Sequence, residues 1–200
     1  MPSDSMSKFQ NRLNDVDHLI SAHERLTGRR RAKPTTQQQQ EGAAITRAGI
    51  VLLCAAIEGF IEDIFEEVAN SIAPASHTTR LENELFKPTT RKLNTPNSFN
   101  TNMLFANLGI WWLLDEVRWQ KFSPEDVRKW LAKVIETRGQ IAHGKQPRVN
   151  LVTLRSWRQR AQHYAERIEA ILADVIRKRT GANPPGWANL PLHANQPHVL

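Results

Sequence analysis

The sequence predicts an all-α protein: an up-and-down bundle of four long helices with a helical insertion between the second and the third. Three observations carry this expectation. Apolar residues recur in steps of three and four along four long stretches, as in Phe9, Leu13, Val16 and Ile20 or Leu154, Trp157, Ala161, Tyr164 and Ile168, and that is the period of one helix face. Helix starts and stops bracket these stretches, with Ser123-Pro124-Glu125-Asp126 opening one and Gly144 and Pro147 closing it. No stretch alternates apolar and polar residues with the period of two that marks a half-buried strand.

The first helix is expected over 7–27, where Leu19, His23 and Leu26 extend the apolar face and Gly28 stands at the position of a terminating glycine. Arg29-Arg30-Arg31-Ala32-Lys33-Pro34 follows, a basic connection that reads either as a solvated linker or as a phosphate contact. The second helix is expected over 38–73, stopped by Pro74. Its first half, Ile50-Val51-Leu52-Leu53-Cys54-Ala55-Ala56-Ile57, is apolar nearly all round, so other helices should surround it. The run over 48–61 contains Glu58 and falls short of the roughly 20 apolar residues of a bilayer span, so no membrane partner is expected.

Pro, Thr and Asn are frequent over 74–122, which predicts an excursion with short helices near 80–86 and 100–117. Trp111, Trp112 and Trp119 within it suit either packing or base stacking. The third long helix should run from Pro124 to His143, which places His143 in the last turn, at the negative end of the helix dipole. The fourth spans 150–179, with Leu151, Ile171, Leu172 and Val175 also inward. Residues 1–180 read as one domain; 181–200, with four prolines and no acid, reads as a loosely packed tail.

The chain of 200 residues is 40% hydrophobic, enough for one compact core. The absence of an apolar segment behind a basic start leads us to expect a cytoplasmic protein. The one cysteine, Cys54, excludes an intrachain disulfide and reads as core filler, and seven scattered histidines give no zinc-type spacing. No metal and no cofactor is expected. The net charge of +7 is unevenly spread: residues 41–70 hold one base and six acids, residues 148–179 eight bases and three acids. That asymmetry suits a polyanion, although an ordinary solvated basic face has the same composition.

The chemistry concentrates in Arg138-Gly139-Gln140-Ile141-Ala142-His143-Gly144. Arg138 falls on the beat of Val127, Leu131, Val134 and Ile141, a charge where the apolar stripe predicts a hydrophobe. Five residues along a helix is roughly 140° of rotation and about 7.5 Å of rise, so Arg138 and His143 converge through the length of the arginine or through a second copy packed across a two-fold axis. Glu58 is the one charged residue between Ala48 and Ile61 and requires a cation or a proton; Arg138 is the natural cation. A histidine moves protons near neutral pH, a guanidinium grips phosphate oxygens, and RNA brings its own 2′-hydroxyl nucleophile. Together they suit cleavage of RNA without a metal. By spacing alone, the same residues equally describe a capping histidine beside a salt-bridged arginine.

With these residues in view, the chain resembles the HEPN superfamily of RNases. The Arg138-x4-His143 motif closing the third long helix carries the likeness. Ile57-Glu58-Gly59-Phe60 on the second helix, Asn107-Leu108-Gly109-Ile110 and Ile141-Ala142-His143-Gly144 resemble more narrowly the RiboL-PSP-HEPN branch, or the similar MAE-like HEPN nucleases. The resemblance spans about 7–180. It implies a HEPN-like bundle, a homodimer with a composite active site of Arg138 and His143 from both protomers, and endoribonuclease activity on single-stranded RNA in a toxin-antitoxin or phage-defence setting, with an antitoxin or defence partner. Glu58 joins the catalytic candidates; Lys145, Arg155 and Arg158 are the candidate RNA contacts. One departure stands out: Gly139 occupies a position that is usually polar in that family. The alternative function is a non-catalytic HEPN-like module that binds nucleic acid or protein.

Overall fold

The computed structural model describes residues 2–27, 34–72, 95–184 and 187. These form α1 (Asp4–Thr27), α2 (Thr36–Ile72), α3 (Ser98–Ala106), α4 (Leu113–Glu116), α5 (Pro124–Ala142) and α6 (Leu151–Thr180), with no strand among the described residues. The four long helices are therefore α1, α2, α5 and α6, and the protein is all-α.

Side-chain partners fix how the long helices run. Between α1 and α2, Phe9 meets Phe60 with ring centroids 5.0 Å apart, Arg12 pairs with Asp63 at 2.7 Å, and Glu67 accepts the Ser5 N–H at 3.0 Å. Low numbers on α1 meet high numbers on α2, so the two are antiparallel. Glu169 of α6 accepts the Ser3 N–H at 2.7 Å while Arg158 reaches Asp17, which makes α6 antiparallel to α1 as well. Leu154 of α6 lies on Gly49 of α2, where an added Cβ would come within 2.5 Å of its Cδ2; the missing side chain lets the two helices approach. Trp130 of α5 meets Tyr164 of α6 edge-on, 5.8 Å between centroids.

The core is built around α2, whose Ile50, Leu53, Ile57, Phe60, Ile61, Ile64, Phe65 and Val68 are buried with Phe9 and Leu13 of α1, Val127, Leu131 and Val134 of α5, and Leu154, Ala161, Tyr164 and Ile168 of α6. By length and composition α2 could also cross a membrane, but half of that stretch is buried inside the bundle. It is not enclosed all round, as its composition suggested. Ala44, Ala48, Leu52 and Ala55 are exposed, with Leu52 at 40%. These residues recur at steps of three and four, so they form one stripe. The neighbouring helices cover the other sides of α2 and leave this one open.

The excursion departs from expectation in one place. The helix expected over 100–117 is two helices, because the chain turns between them: Gly109 has φ +68° and Trp112 φ +61°. Arg179 of α6 holds this turn by donating to the carbonyls of Leu108 and Gly109, the latter at 2.8 Å. The helix expected near 80–86 lies outside the described residues. At the far end Gly181, with φ +74°, terminates α6. Beyond the expected domain boundary, Trp187 is 2% exposed and its indole N–H donates to the Glu67 carboxylate, so this residue of the tail belongs to the core.

Candidate active site

The sequence of α5 defines both its ends. At the start, the Ser123 hydroxyl accepts the Asp126 N–H at 3.2 Å and the Asp126 carboxylate accepts the Ser123 N–H at 3.0 Å, a reciprocal capping box with Pro124 at the first helical position. At the end, Gly144 takes φ +74°, its N–H donating to Ile141 at 3.0 Å while the Lys145 N–H donates to Gln140 at 2.9 Å. This pair of reversed bonds is the Schellman arrangement, which leaves His143 as the C-cap residue. The His143 N–H is itself bonded to Gly139 at 3.1 Å. His143 is exposed, so its ring is presented to solvent from a backbone held in place.

Arg138 lies on the apolar beat of α5 but outside the core. The buried residues of α5 are Val127, Trp130, Leu131, Val134 and Thr137; Arg138 is exposed and Ile141 half-buried. Thr137 turns inward and satisfies its hydroxyl on the Lys133 carbonyl at 2.7 Å. In its last turns the helix is covered on the Thr137 side, where the chain returns past Pro147, Val149 and Trp157, and is open on the Arg138 side. The guanidinium therefore stands over an uncovered seam.

Glu58 borders that seam. It is half-buried and follows Leu52 and Ala55 of the exposed α2 stripe at steps of three. Burial raises its carboxyl above the usual range, with the Arg138 charge opposing the shift. Buried Cys54 feels the same pair: burial and then Glu58 push its thiol up to about 11, Arg138 in the other direction. Arg138 is thus near enough to act electrostatically on both, yet no Glu58–Arg138 ion pair closes among the described residues. Glu62 is raised as well, by burial and then by Glu58.

The remaining candidates separate. Lys145 is exposed directly after Gly144. Arg155 pairs with Glu24, and Arg158 holds Asp17 through its Nε and Nη2 atoms at 2.9 and 2.8 Å; both tie α6 to α1, so these two candidate RNA contacts are engaged by acids. Trp119 packs against Phe122 with centroids 4.6 Å apart, whereas Trp111 and Trp112 are 64% and 67% exposed. Two arginines not singled out by sequence stand near the motif. Arg148, in the connection after α5, and Arg47 of α2 line a common concavity. Arg47 is the only base among residues 41–70, and that was the available signal.

Around the end of α5 the structure thus assembles Arg138, His143, Lys145 and Arg148, none of them in an ion pair among the described residues, with Glu58 at the rim. A Cβ added at Gly139 would meet nothing within 4 Å, so the missing side chain there reflects open space rather than close packing. Such a surface can bind an anion and transfer a proton. Compared with protein families, residues 7–174 match the one described as RiboL-PSP-HEPN. No curated protein and no solved structure matches the chain.

Proposed function

Because the chain belongs to the RiboL-PSP-HEPN family, we propose that it is an endoribonuclease that cleaves single-stranded RNA, acting as a homodimer in which two copies of the Arg138–His143 segment face one cleft. The observation that supports this best is the pairing of an exposed Arg138, in no ion pair among the described residues, and a capped His143 with an exposed apolar stripe of α2, Ala44, Ala48, Leu52 and Ala55. A two-fold contact on that stripe would exclude water from the seam and bring a second Arg138 and His143 to it. Within it, His143 takes the proton of the 2′-hydroxyl or returns one to the leaving 5′-oxygen. The 2′-oxygen attacks the adjacent phosphorus, the bond to the 5′-oxygen breaks, and a 2′,3′-cyclic phosphate and a 5′-hydroxyl result. Arg138 carries the charge that builds on the non-bridging oxygens, and Glu58 orients Arg138.

Lys145 extends the phosphate contacts outward. Arg155 and Arg158 contribute less, because RNA must compete there with Glu24 and Asp17. A toxin-antitoxin or phage-defence role, with a neutralising or defence partner, fits an enzyme of this kind and is part of the same proposal. Purified protein should cut single-stranded RNA in the presence of EDTA and leave cyclic phosphate ends, and His143→Ala should lose at least about 100-fold in rate, the lower range for a general acid-base group, with an unchanged melting temperature. A His143→Ala protein that cuts at the parent rate would remove the catalytic reading and favour the alternative, a module that binds nucleic acid without cleaving it.

A further inference from the structure

Two concavities flank the connection between α5 and α6, and Arg148 lines both. One, of about 320 Å³, is bounded by Lys133, Gln140, Thr153 and Trp157. The other, of about 430 Å³, is bounded by Arg47, Gln146 and Asn150. Among the described residues no carboxylate lines either one. Arg47 from α2 and Arg148 from the connection thus line one concavity that has no carboxylate among its lining residues, and two cations so placed favour an anion. The start of α6, a 30-residue helix, lies at the same place, with Asn150 in one concavity and Thr153 in the other. Its dipole adds positive potential in the same direction. Their lining includes Gln140 and Gln146 to Arg148, three to five residues from His143 along the chain.

We propose that Arg47 and Arg148 form a phosphate clamp for single-stranded RNA, holding the backbone next to the scissile position, with the Lys133–Trp157 concavity receiving the base of a flanking nucleotide. Trp157, 9% exposed, supplies an apolar edge, and Gln140, whose amide N–H donates to Glu136 at 2.9 Å, offers its side-chain carbonyl to that base. This rests on the endoribonuclease reading but assigns residues outside the Arg138–His143 motif. A clamp of this kind contributes to binding far more than to the bond-breaking step, so its loss raises KM with little change in kcat.

The test uses the full chain carrying His143→Ala, so that bound RNA stays intact, and a short fluorescein-labelled single-stranded RNA. Adding Arg47→Gln and Arg148→Gln should weaken binding at least about tenfold near 0.1 M salt. It should also lower the slope of log affinity against log salt by about 1.4, since each phosphate contact on a single strand contributes about 0.7. Neither arginine is in an ion pair among the described residues, so the melting temperature should not move. Unchanged affinity and slope in the double variant, while the His143→Ala protein binds RNA, would overturn the clamp and leave the nuclease reading standing. RNA binding that depends on Arg47 and Arg148 in a chain whose parent form, with His143 in place, never cleaves would keep the clamp and remove the nuclease. A His143→Ala protein that binds no RNA would remove both.

Discussion

Glu58 shows how a single residue joins stability to function. Burial raises its carboxyl and the Arg138 charge only partly opposes this. A carboxyl whose folded-state value is raised holds its proton more tightly in the folded chain. Its favourable contribution is therefore fully present below the unfolded value and is lost as pH rises through the folded one. Above that folded value the charged Glu58 costs stability. Glu58→Gln keeps the neutral form at every pH, so its melting temperature should exceed the parent's at neutral pH and converge with it in acid below the ordinary carboxylate range. A lower melting temperature at neutral pH would mean that the attraction to Arg138 outweighs the burial cost. A gain in stability together with slower RNA cleavage would identify Glu58 as a charge kept for function. The lone charge in an apolar run was readable in the sequence and so was its natural partner. That the two stop short of an ion pair was not, because it depends on where the seam opens.

At the scale of the element, α5 was the most readable part of the chain. Ser123, Pro124, Asp126 and Gly144 each have a local job that their chemistry dictates, and the structure uses each accordingly. Arg138 keeps the apolar beat but not the burial that goes with it, for an instructive reason. Stripe arithmetic assumes that a helix is covered along one line throughout its length, whereas the cover over α5 shifts toward Thr137 in the last turns. The apolar first half of α2 misled in the same way, since composition cannot say how many neighbours a helix has. The expected helix over 100–117 failed at Gly109 and Trp112, both in the left-handed region, where a conformation favoured by the turn overrides helical spacing. Gly144 provides the test at this scale. It has φ +74° and nothing within 4 Å of an added Cβ, so Gly144→Ala introduces backbone strain and no clash. It should cost roughly 1–2 kcal/mol by urea unfolding. Cleavage should fall with it, because the same turn sets the backbone of His143. An unstrained Gly144→Ala protein with parental stability would show that the cap does not hold the histidine.

For the whole molecule, the four long helices and their order follow from periodicity and caps, while the clustering of free cations does not. The sequence places seven of its 27 bases on α6, but Arg155, Arg158, Arg177 and Lys178 are matched by acids. Around the end of α5, Arg138, Lys145 and Arg148 have no acid partner among the described residues, and Arg47, about 90 to 100 positions earlier in the chain, lines a concavity with Arg148. Only folding brings them together. On the same side, the α2 stripe leaves Leu52 in water, and that exposure is what a second copy would relieve.

The central claim, that this site is completed by a second copy of the chain, is tested most directly by measuring mass in solution and RNA cleavage on the same samples of the parent and of Leu52→Glu. The account predicts a parental dimer that cleaves single-stranded RNA, and a folded Leu52→Glu monomer that does not. A parent that is monomeric and cleaves, or a Leu52→Glu monomer that cleaves as fast as the parental dimer, would contradict it.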